Sequence, residues 1–433
     1  MKFLPNIYGM ETSEIERIQG DLLREAFDYA ASASPYYRER LSLPGGRYSR
    51  SVRSLEDIRS LPLTSKGDIQ QRNQDFWAVP SSRVSEIVAT TGTSGNPIYV
   101  PMTMSDVERL AENERRGFEW LGARPGERYH VAVTLDNLFM AGLAYQYGLY
   151  KVGATVIRVG AQPVRRHLDL MRQLLPDGMV SVPSLLLALS RQAQMDDLDI
   201  KEFAPKKFLL IGDAVRGQDL SLNTLGRLIT EAWGGNIYST YGLTEAGMAF
   251  HECPAHNGLH SHPDLIFCEI VDETGRALPP GKPGELVITT LQIEGMPLLR
   301  YQTGDITFIH SGPCPCGRNG LRIGPILGRR QHRLKCKGTT MYPKVIEDAL
   351  VSVEGVENFV IEAHTGKDGT DRVVVRVGTN RKDHSFRKII KDTLYTKVRV
   401  TPEVSLEAPA ELEKVLHKSG SRKPNVFIDF RGS

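Results

Sequence analysis

Three short segments of this 433-residue chain carry side chains whose types and spacing could do chemistry on a phosphate ester. The first, Thr90-Thr91-Gly92-Thr93-Ser94-Gly95-Asn96-Pro97, lies between the apolar runs Ile87-Val88 and Ile98-Tyr99-Val100. Glycines admit backbone conformations closed to other residues. Successive amide N–H groups in such a turn form a concave anion site, and the hydroxyls add donors that can wrap phosphate oxygens. Strand, Gly/Ser/Thr loop, strand therefore reads as a triphosphate cradle. It is not a Walker loop, because no Gly-Lys-Ser/Thr closes it and no helix pattern follows at once. An ordinary polar hairpin would share this composition, so the other segments decide. Ile237 to Glu245 comes at an expected strand end, where open α/β sheets hold their ligands. Its Tyr241 can stack on a base. Thr244 and Glu245 can serve a phosphate-bound Mg2+, an ion that takes hard oxygen ligands and usually only one or two carboxylates. In Leu299 to Asp305, an aspartate at a tight Thr-Gly turn can accept from two ribose hydroxyls. The plainer explanations are a solvated glutamate at a strand end and a turn aspartate.

The cysteines form a fourth constellation. Cys253 is followed by His260 and, much later, by Cys314-Pro315-Cys316-Gly317. Two soft thiolates one residue apart, with one thiolate and one imidazole from a loop, make a tetrahedral set suited to Zn2+. His251, His256 and His262 compete for the imidazole place, and three unrelated surface cysteines are the alternative. A closed set leaves no open position, so the zinc would be structural. Cys268 and Cys336 read as isolated.

These groups need elements to position them. Charged residues make up 24% of the chain and hydrophobic ones 40%, as in soluble globular proteins. A net charge of +3 is too small to argue for nucleic acid or a membrane surface. No signal peptide is visible. The apolar run Val182–Leu189 is broken by Pro183 and Ser184, well short of a membrane span. Five cysteines do not make a disulfide framework, so a reducing cytoplasm is expected. The length predicts more than one domain. Ser13 to Glu39 reads as helical, and Leu61-Pro62-Leu63-Thr64-Ser65 caps a further helix near Lys66. Strand-like runs at Tyr129–Thr134, Ala154–Val159, Gly178–Val182, Lys207–Ile211 and Asn236–Thr240 alternate with helical segments, which predicts an α/β fold with a mainly parallel sheet. Cys268–Val271 and Glu285–Thr290 read as antiparallel strands. Beyond Gly328 a small βαββαβ-like α+β unit is expected. It has a helix from about Pro343, strands at Val356–Glu362 and Arg372–Val377, a helix at Ser385–Thr396 and a last strand at Arg399–Leu406.

The order of these parts resembles the adenylate-forming acyl-CoA ligases, and within them the phenylacetate–coenzyme A ligase family. The resemblance rests on the Thr/Ser/Gly cradle, Tyr-Gly-Leu-Thr-Glu, Tyr-Gln-Thr-Gly-Asp, and Gly328-Arg329 opening a small C-terminal domain. Further family-like stretches are Tyr36-Tyr37-Arg38-Glu39-Arg40, Leu61 to Lys66, Gly258-Leu259-His260, Gly284 to Thr290, and the terminal Phe427-Ile428-Asp429-Phe430-Arg431. The resemblance implies an adenylation domain over residues 1–328 and a mobile, hinged domain over 329–433. It implies a two-step reaction: a carboxylate attacks the α-phosphate of ATP, giving an acyl-adenylate and pyrophosphate, and coenzyme A then displaces AMP. The first step joins two anions, so the site must supply positive charge and orientation. The family's C-terminal lysine falls here on Lys423, with Lys414 and Lys418 as rivals because Arg422 stands where the family has glycine.

By the same mapping Thr90, Thr91, Gly92, Thr93, Ser94 and Gly95 cradle phosphates, Thr244 meets a phosphate and Glu245 the Mg2+. Asp305 holds the ribose, Gly212-Asp213-Ala214 and Tyr241 flank the adenine, and Gly242 and Arg329 complete the nucleotide set. Asp213 stands one place earlier than the family's acidic residue. Asn96 replaces a lysine, and Gln331 replaces the hinge aspartate. Phe139, Gly142, Tyr238, Ala246 and Gly247 are the acyl-pocket candidates, with core packing as the alternative for each. Their shapes suit a planar ring, so a benzoate-, anthranilate- or phenylacetate-type acid is expected. Some members carry a structural zinc, which places Cys253, His260, Cys314 and Cys316 around Zn2+. ATP, Mg2+, coenzyme A and zinc are thus the expected cofactors, and small molecules the partners, with no nucleic acid or membrane and with a homodimer kept open. Two other readings stand beside this one. Gln331 motivates an adenylating enzyme that passes the acyl group to an amine or a carrier-protein thiol. A non-catalytic zinc-bearing module is the other, and near-neutral charge speaks against its binding nucleic acid.

Overall fold

The computed structural model describes residues 3–4, 6–41, 55–90, 96–336, 339–366, 371–381, 383–398, 400–417 and 424–431. The first helical stretch is two helices, Thr12–Ala33 and Pro35–Leu41. Pro35 disfavours helical backbone at the residue before it, and Ser34 takes an extended ψ of 123°. Ser65 caps Lys66–Gln71 through a capping box with Asp68, as its place before the helix predicts.

The strands β1 (Glu86–Ala89) and β2 (Tyr99–Met102) pair antiparallel. The candidate cradle links them. Thr90 and Asn96 are its described ends, and Thr91, Gly92, Thr93, Ser94 and Gly95 lie outside the described residues. The Thr90 N–H donates to the Ile98 carbonyl at 3.0 Å, and Thr90 Oγ1 accepts the Ile98 N–H at 3.0 Å. Five strands then form a parallel sheet: β3 (Arg128–Val131), β4 (Thr155–Arg158), β5 (Gly178–Ser181), β6 (Lys207–Leu210) and the first half of β7 (Asn236–Leu243). Their spatial order is β4, β3, β5, β6, β7. Helices Met140–Val152, Val164–Leu174 and Pro183–Met195 fall between successive strands. β5 is buried along its whole length, as parallel strands covered on both faces are.

Past Thr240 the sheet changes sense. β7 runs on to Leu243, three residues beyond the expected end. It pairs antiparallel with β8 (Met248–Glu252), which continues to β9 (Leu259–His260) and β13 (Arg322–Ile323). A second, antiparallel sheet carries β10 (Ile266–Val271), β11 (Gly284–Thr290) and β12 (Tyr301–Thr307). The Thr303-Gly304-Asp305 turn expected from the sequence is instead a bulge within β12. The register steps from Val287–Gln302 to Glu285–Ile306, and Gly304 takes φ +77°, a conformation that suits glycine.

Contacts divide the chain into two compact units: Met1–Ser221 with Gly226–Pro325, and Leu222–Leu225 with Ile326–Ser433. The second unit holds a four-stranded sheet ordered Glu403–Glu407, Asp371–Gly378, Asn358–Thr365, Phe427–Asp429. Helices Pro343–Val351 and His384–Val398 pack on it around Ile346, Phe386, Ile390 and Leu394. The expected last strand is therefore not the last. Helix Pro409–Leu416 follows it, and Phe427–Asp429 then pairs parallel with Asn358–Thr365. Among the described residues no helix is long and apolar enough to cross a membrane.

Candidate nucleotide site and metal cluster

The hairpin β7–β8 presents the Tyr241–Glu245 motif. Its turn, Thr244 to Gly247, is closed by bonds from Ala246 N–H to the Leu243 carbonyl and from Gly247 N–H to the Thr244 carbonyl, each 3.2 Å. Gly247 sits at φ +57°. The turn is held from below by Arg109, on helix Met104–Trp120. This guanidinium is wholly buried. It donates to the carbonyls of Gly247 (2.9 Å), Ala246 (3.3 Å), Leu291 (2.9 Å) and Leu265. Burial pulls its pKa down to about 10, still far above neutrality. The four carbonyls supply what a buried cation needs in place of water.

Two tyrosines cross between motifs. The Tyr241 hydroxyl donates to Asp305 Oδ2 at 2.7 Å, and the Tyr301 hydroxyl donates to Glu245 Oε1 at 3.0 Å. Each motif thus lends a phenol to the other's carboxylate. Both carboxylates are buried, Glu245 at 7% exposure and Asp305 at 6%. Burial, and then the charge of Asp305, hold the Tyr241 phenol well above its ordinary range, so it remains a donor. Around Asp305, Thr303 Oγ1 accepts the Asp305 N–H at 3.1 Å, and Glu285 accepts the Gly304 N–H at 3.1 Å.

The loop after β6 begins with Gly212 at φ +90°, followed by exposed Asp213 and half-buried Ala214. Arg216 anchors this loop on Glu252, at the end of β8. Glu252 is itself 2% exposed. It also accepts the Ser239 N–H at 2.9 Å, and its Oε2 lies 3.2 Å from His256 Nδ1. One carboxylate thereby joins the Gly212 loop, the strand that leads into Tyr241, and the turn after Cys253.

The pocket candidates fall into two neighbourhoods. Phe139 is half-buried at the start of helix Met140–Val152, after Asn137 and Leu138 at φ +54° and +61°. A Cβ on Gly142 would lie 2.1 Å from the Thr134 carbonyl oxygen, so this glycine lets the helix approach that backbone. Ala246 packs in the cluster that includes Met140 and Phe250. Gly247 is buried in the turn that Arg109 holds. Tyr238 belongs to a separate cluster with Phe118, Tyr129 and Tyr145, and its ring lies 5.1 Å from that of His256.

Cys253, His260, Cys314 and Cys316 converge, with one donor atom from each within 4.8 Å of all the others. Cys253 and Cys314 Sγ are 3.6 Å apart, and Cys316 Sγ is 3.5 Å from His260 Nε2. Tetrahedral zinc with bonds of about 2.3 Å to sulfur and 2.0–2.1 Å to nitrogen would set these separations near 3.8 and 3.6 Å. A disulfide would need about 2.05 Å. Burial, then the nearby Arg322 and Arg318, lower the His260 pKa to about 3, leaving the neutral imidazole that a metal requires. Burial alone would raise the Cys316 thiol, but hydrogen bonds from the Arg318 backbone and then Cys314 bring it below its usual value. Burial pushes Cys253 up to about 12, a thiol that a bound cation would deprotonate.

The rival imidazoles are committed elsewhere. His262 meets the Tyr8 hydroxyl and lies 3.2 Å from His251, which reaches Glu114 at 3.0 Å. Trp120 stacks on His262 at 4.9 Å and meets His260 edge-on at 5.5 Å. Cys268 and Cys336 are buried outside the cluster.

Residues 53–294 match the AMP-binding enzyme family, and residues 338–431 match the AMP-binding enzyme C-terminal domain. The chain belongs to the AMP-binding enzyme family. It is 31% identical over 405 residues to a phenylacetate–coenzyme A ligase of Thermus thermophilus, spanning 92% of this chain and 88% of that one. It is 29% identical to the phenylacetate–coenzyme A ligase of Pseudomonas putida, spanning 96% and 95%. Its fold superposes on a crystal structure of 2-hydroxyisobutyryl-CoA ligase with a TM-score of 0.84 at 24% identity, over 98% of this chain and 91% of that one.

In this AMP-binding enzyme the fold brings Tyr241, Glu245 and Asp305 together, with half-buried Thr244 and exposed Gly242 on the same hairpin. Arg329 is exposed on the short strand Gly328–Arg329. Lys423 and its rival Lys418 lie outside the described residues, whereas Lys414 is described on helix Pro409–Leu416, 3.1 Å from Glu411. Arg109, Glu252 and Tyr301 carry no sequence signal of their roles, save that Tyr301 begins the Tyr-Gln-Thr-Gly-Asp motif.

Proposed function

We propose that this AMP-binding enzyme activates an aromatic carboxylic acid with ATP and then transfers the acyl group to coenzyme A. A carboxylate oxygen attacks the α-phosphorus, the bond to the β-phosphate breaks and pyrophosphate leaves. In the second step the coenzyme A sulfur, having given up its proton, attacks the acyl carbon and AMP leaves. The crossed pairs Tyr241–Asp305 and Tyr301–Glu245 carry this reading. They hold one carboxylate suited to ribose hydroxyls beside another suited to a hard cation, before any nucleotide arrives. Glu245 would hold Mg2+, with Thr244 near a phosphate. Asp213 and Ala214 would lie along the adenine, and Lys423 would supply charge at the α-phosphate. The names of the relatives support an aromatic acid, and Phe139 is consistent with it.

Cys253, His260, Cys314 and Cys316 would hold Zn2+. When bound, the ion would join the turn after β8 to the Cys314–Cys316 loop, with no open position for chemistry. A panel of benzoate, anthranilate, phenylacetate, 2-hydroxyisobutyrate, acetate and decanoate tests the substrate. ATP-dependent AMP formation with and without coenzyme A is the assay. An aromatic acid should give the highest rate, and only with coenzyme A should thioester appear. Preference for decanoate, acetate or 2-hydroxyisobutyrate over every aromatic acid would overturn the substrate assignment. Turnover without coenzyme A, supported by an amine or a carrier thiol, would overturn the acceptor.

A further inference from the structure

The terminal Phe427–Arg431 segment has no part in the chemistry above, yet its last arginine makes a dense set of polar contacts in the second unit's hinge region. Arg431 Nη1 donates to the Arg333 carbonyl at 2.7 Å and to Asp371 Oδ2 at 2.9 Å. Its Nη2 donates to the Gln331 carbonyl at 3.2 Å and to Asp429 Oδ2 at 2.7 Å, and Nε donates to Asp429 Oδ1 at 2.8 Å. The residue between the two carbonyls is held as well, for the His332 ring lies 4.7 Å from that of Phe427. Asp371 Oδ2 also accepts the Lys335 N–H at 2.6 Å, which fastens the next strand, Leu334–Cys336. All of these residues lie within the unit Ile326–Ser433.

A planar guanidinium with five donors in a fixed fork is the side chain suited to bind two carboxylates and two carbonyls at once. Three consecutive residues of the linking segment are therefore fastened to the last strand of the small sheet. We propose that Arg431 is the positioning residue of the hinge: it binds Gln331–Arg333 into the C-terminal unit and confines rotation to the backbone on the N-terminal side of Gln331. Resting on the two-step reading above, this makes residues 331–333 part of the moving body and not of the pivot. The replacement of the family's hinge aspartate by Gln331 is then tolerable, because the bond to Arg431 uses the Gln331 backbone carbonyl.

Limited trypsin digestion of the full chain, read by mass spectrometry, tests this without requiring activity. Arg329, Arg330, Arg333 and Lys335 offer cleavage sites along the segment. Lys388, Lys391 and Lys397 on helix His384–Val398 report on the rest of the unit. Arg431→Gln should speed cleavage between 329 and 335 by about tenfold or more, because proteolysis follows the population of the opened state. Cleavage at the helix sites should stay as in the parent. Arg431→Lys keeps the charge without the fork and should fall between the two. In half-reactions, Arg431→Gln should leave KM for ATP unchanged and slow thioester formation more than pyrophosphate release.

Unchanged cleavage between 329 and 335 would overturn the proposal. So would a rise of equal size at the helix sites, which would mark Arg431 as a general stabiliser of the unit. If Arg431→Gln does not accumulate as folded protein, Asp371→Asn weakens the same pins. Faster cleavage confined to 329–335 in that variant would then support the proposal, and unchanged or uniformly faster cleavage would overturn it. A parent protein that forms no AMP from ATP and any acid would defeat the functional reading while leaving the digestion result to stand.

Discussion

Tyr301→Phe removes a single oxygen, the one that donates to Glu245 at 3.0 Å. Tyr301 is 1% exposed and Glu245 7%, so water cannot readily replace the lost donor. A hydrogen bond to a charged group contributes about 1.5–3 kcal/mol. Partners that orient a metal-binding carboxylate typically affect metal affinity by about 10- to 100-fold, and about 1.4 kcal/mol per decade puts that at about 1.4–2.8 kcal/mol. The two figures agree. The assay is acid-dependent pyrophosphate release at saturating ATP, titrated with free Mg2+. The half-saturating Mg2+ concentration should rise about 10- to 100-fold in Tyr301→Phe, while the plateau rate recovers at high Mg2+. Circular dichroism should show an unchanged fold, since the ring still fills its place. An unaltered Mg2+ dependence with a lowered plateau would refute the reasoning, because the hydroxyl would then act on the reacting atoms and not through Glu245.

Lys423→Ala should slow adenylation by about a hundred- to a thousandfold, the usual cost of losing one donor aimed at developing charge; the same loss in Lys418→Ala with Lys423→Ala active would move the role to Lys418. Elemental analysis should find one zinc per chain, and both a chelator and Cys314→Ser should lower Tm, since a closed metal site adds its binding energy to the folded state; metal-free protein prepared without chelator would contradict this. Acid should weaken the fold through the buried pair His130 and His167, whose rings meet at 2.9 Å. Burial, then His167, lowers the His130 pKa to about 3, and burial also lowers that of His167. The unfolded chain therefore takes up protons that the folded one refuses as pH drops below about 6.5, and stability falls with it, by about 2 kcal/mol at pH 5 for His130 alone. Thermal melts from pH 7.5 to 5 should show this decline, and His130→Gln should lessen it; a flat Tm over that range would remove the pair from the account.

The parts legible in the sequence are those whose chemistry is local. Cys314-Pro315-Cys316 brings two thiols together whatever surrounds it, and the structure places Cys253 and His260 beside them, the set read from the sequence. Only tertiary contacts show which of the four histidines have other partners. His251 and His262 are occupied by Glu114 and Tyr8, residues more than a hundred positions away. The central strands β5 and β6 are legible because parallel strands buried on both faces read as continuous apolar runs; the edge strand β4, exposed at both ends, is legible from its β-branched run Thr155-Val156-Ile157. Arg109 is hidden for the opposite reason. Its partners are backbone carbonyls at 246, 247, 265 and 291, and every residue type carries one. Glu252 looks like any glutamate at the end of a strand until the Arg216 loop folds onto it. The bulge at Gly304 reads as a turn because a positive φ serves both, and only the partner strand tells them apart.

The crossed tyrosines also set a length. Because each motif holds the other's carboxylate, the two carboxylates cannot drift independently: a shift of β7 drags Asp305, and a shift of β12 drags Glu245. On the proposed function, that fixed spacing would act as a gauge from ribose to phosphate. A nucleotide would then be judged by whether two of its parts fit at one spacing. Analogues with the same base and phosphates but a shortened or opened sugar should meet one jaw of that gauge and miss the other.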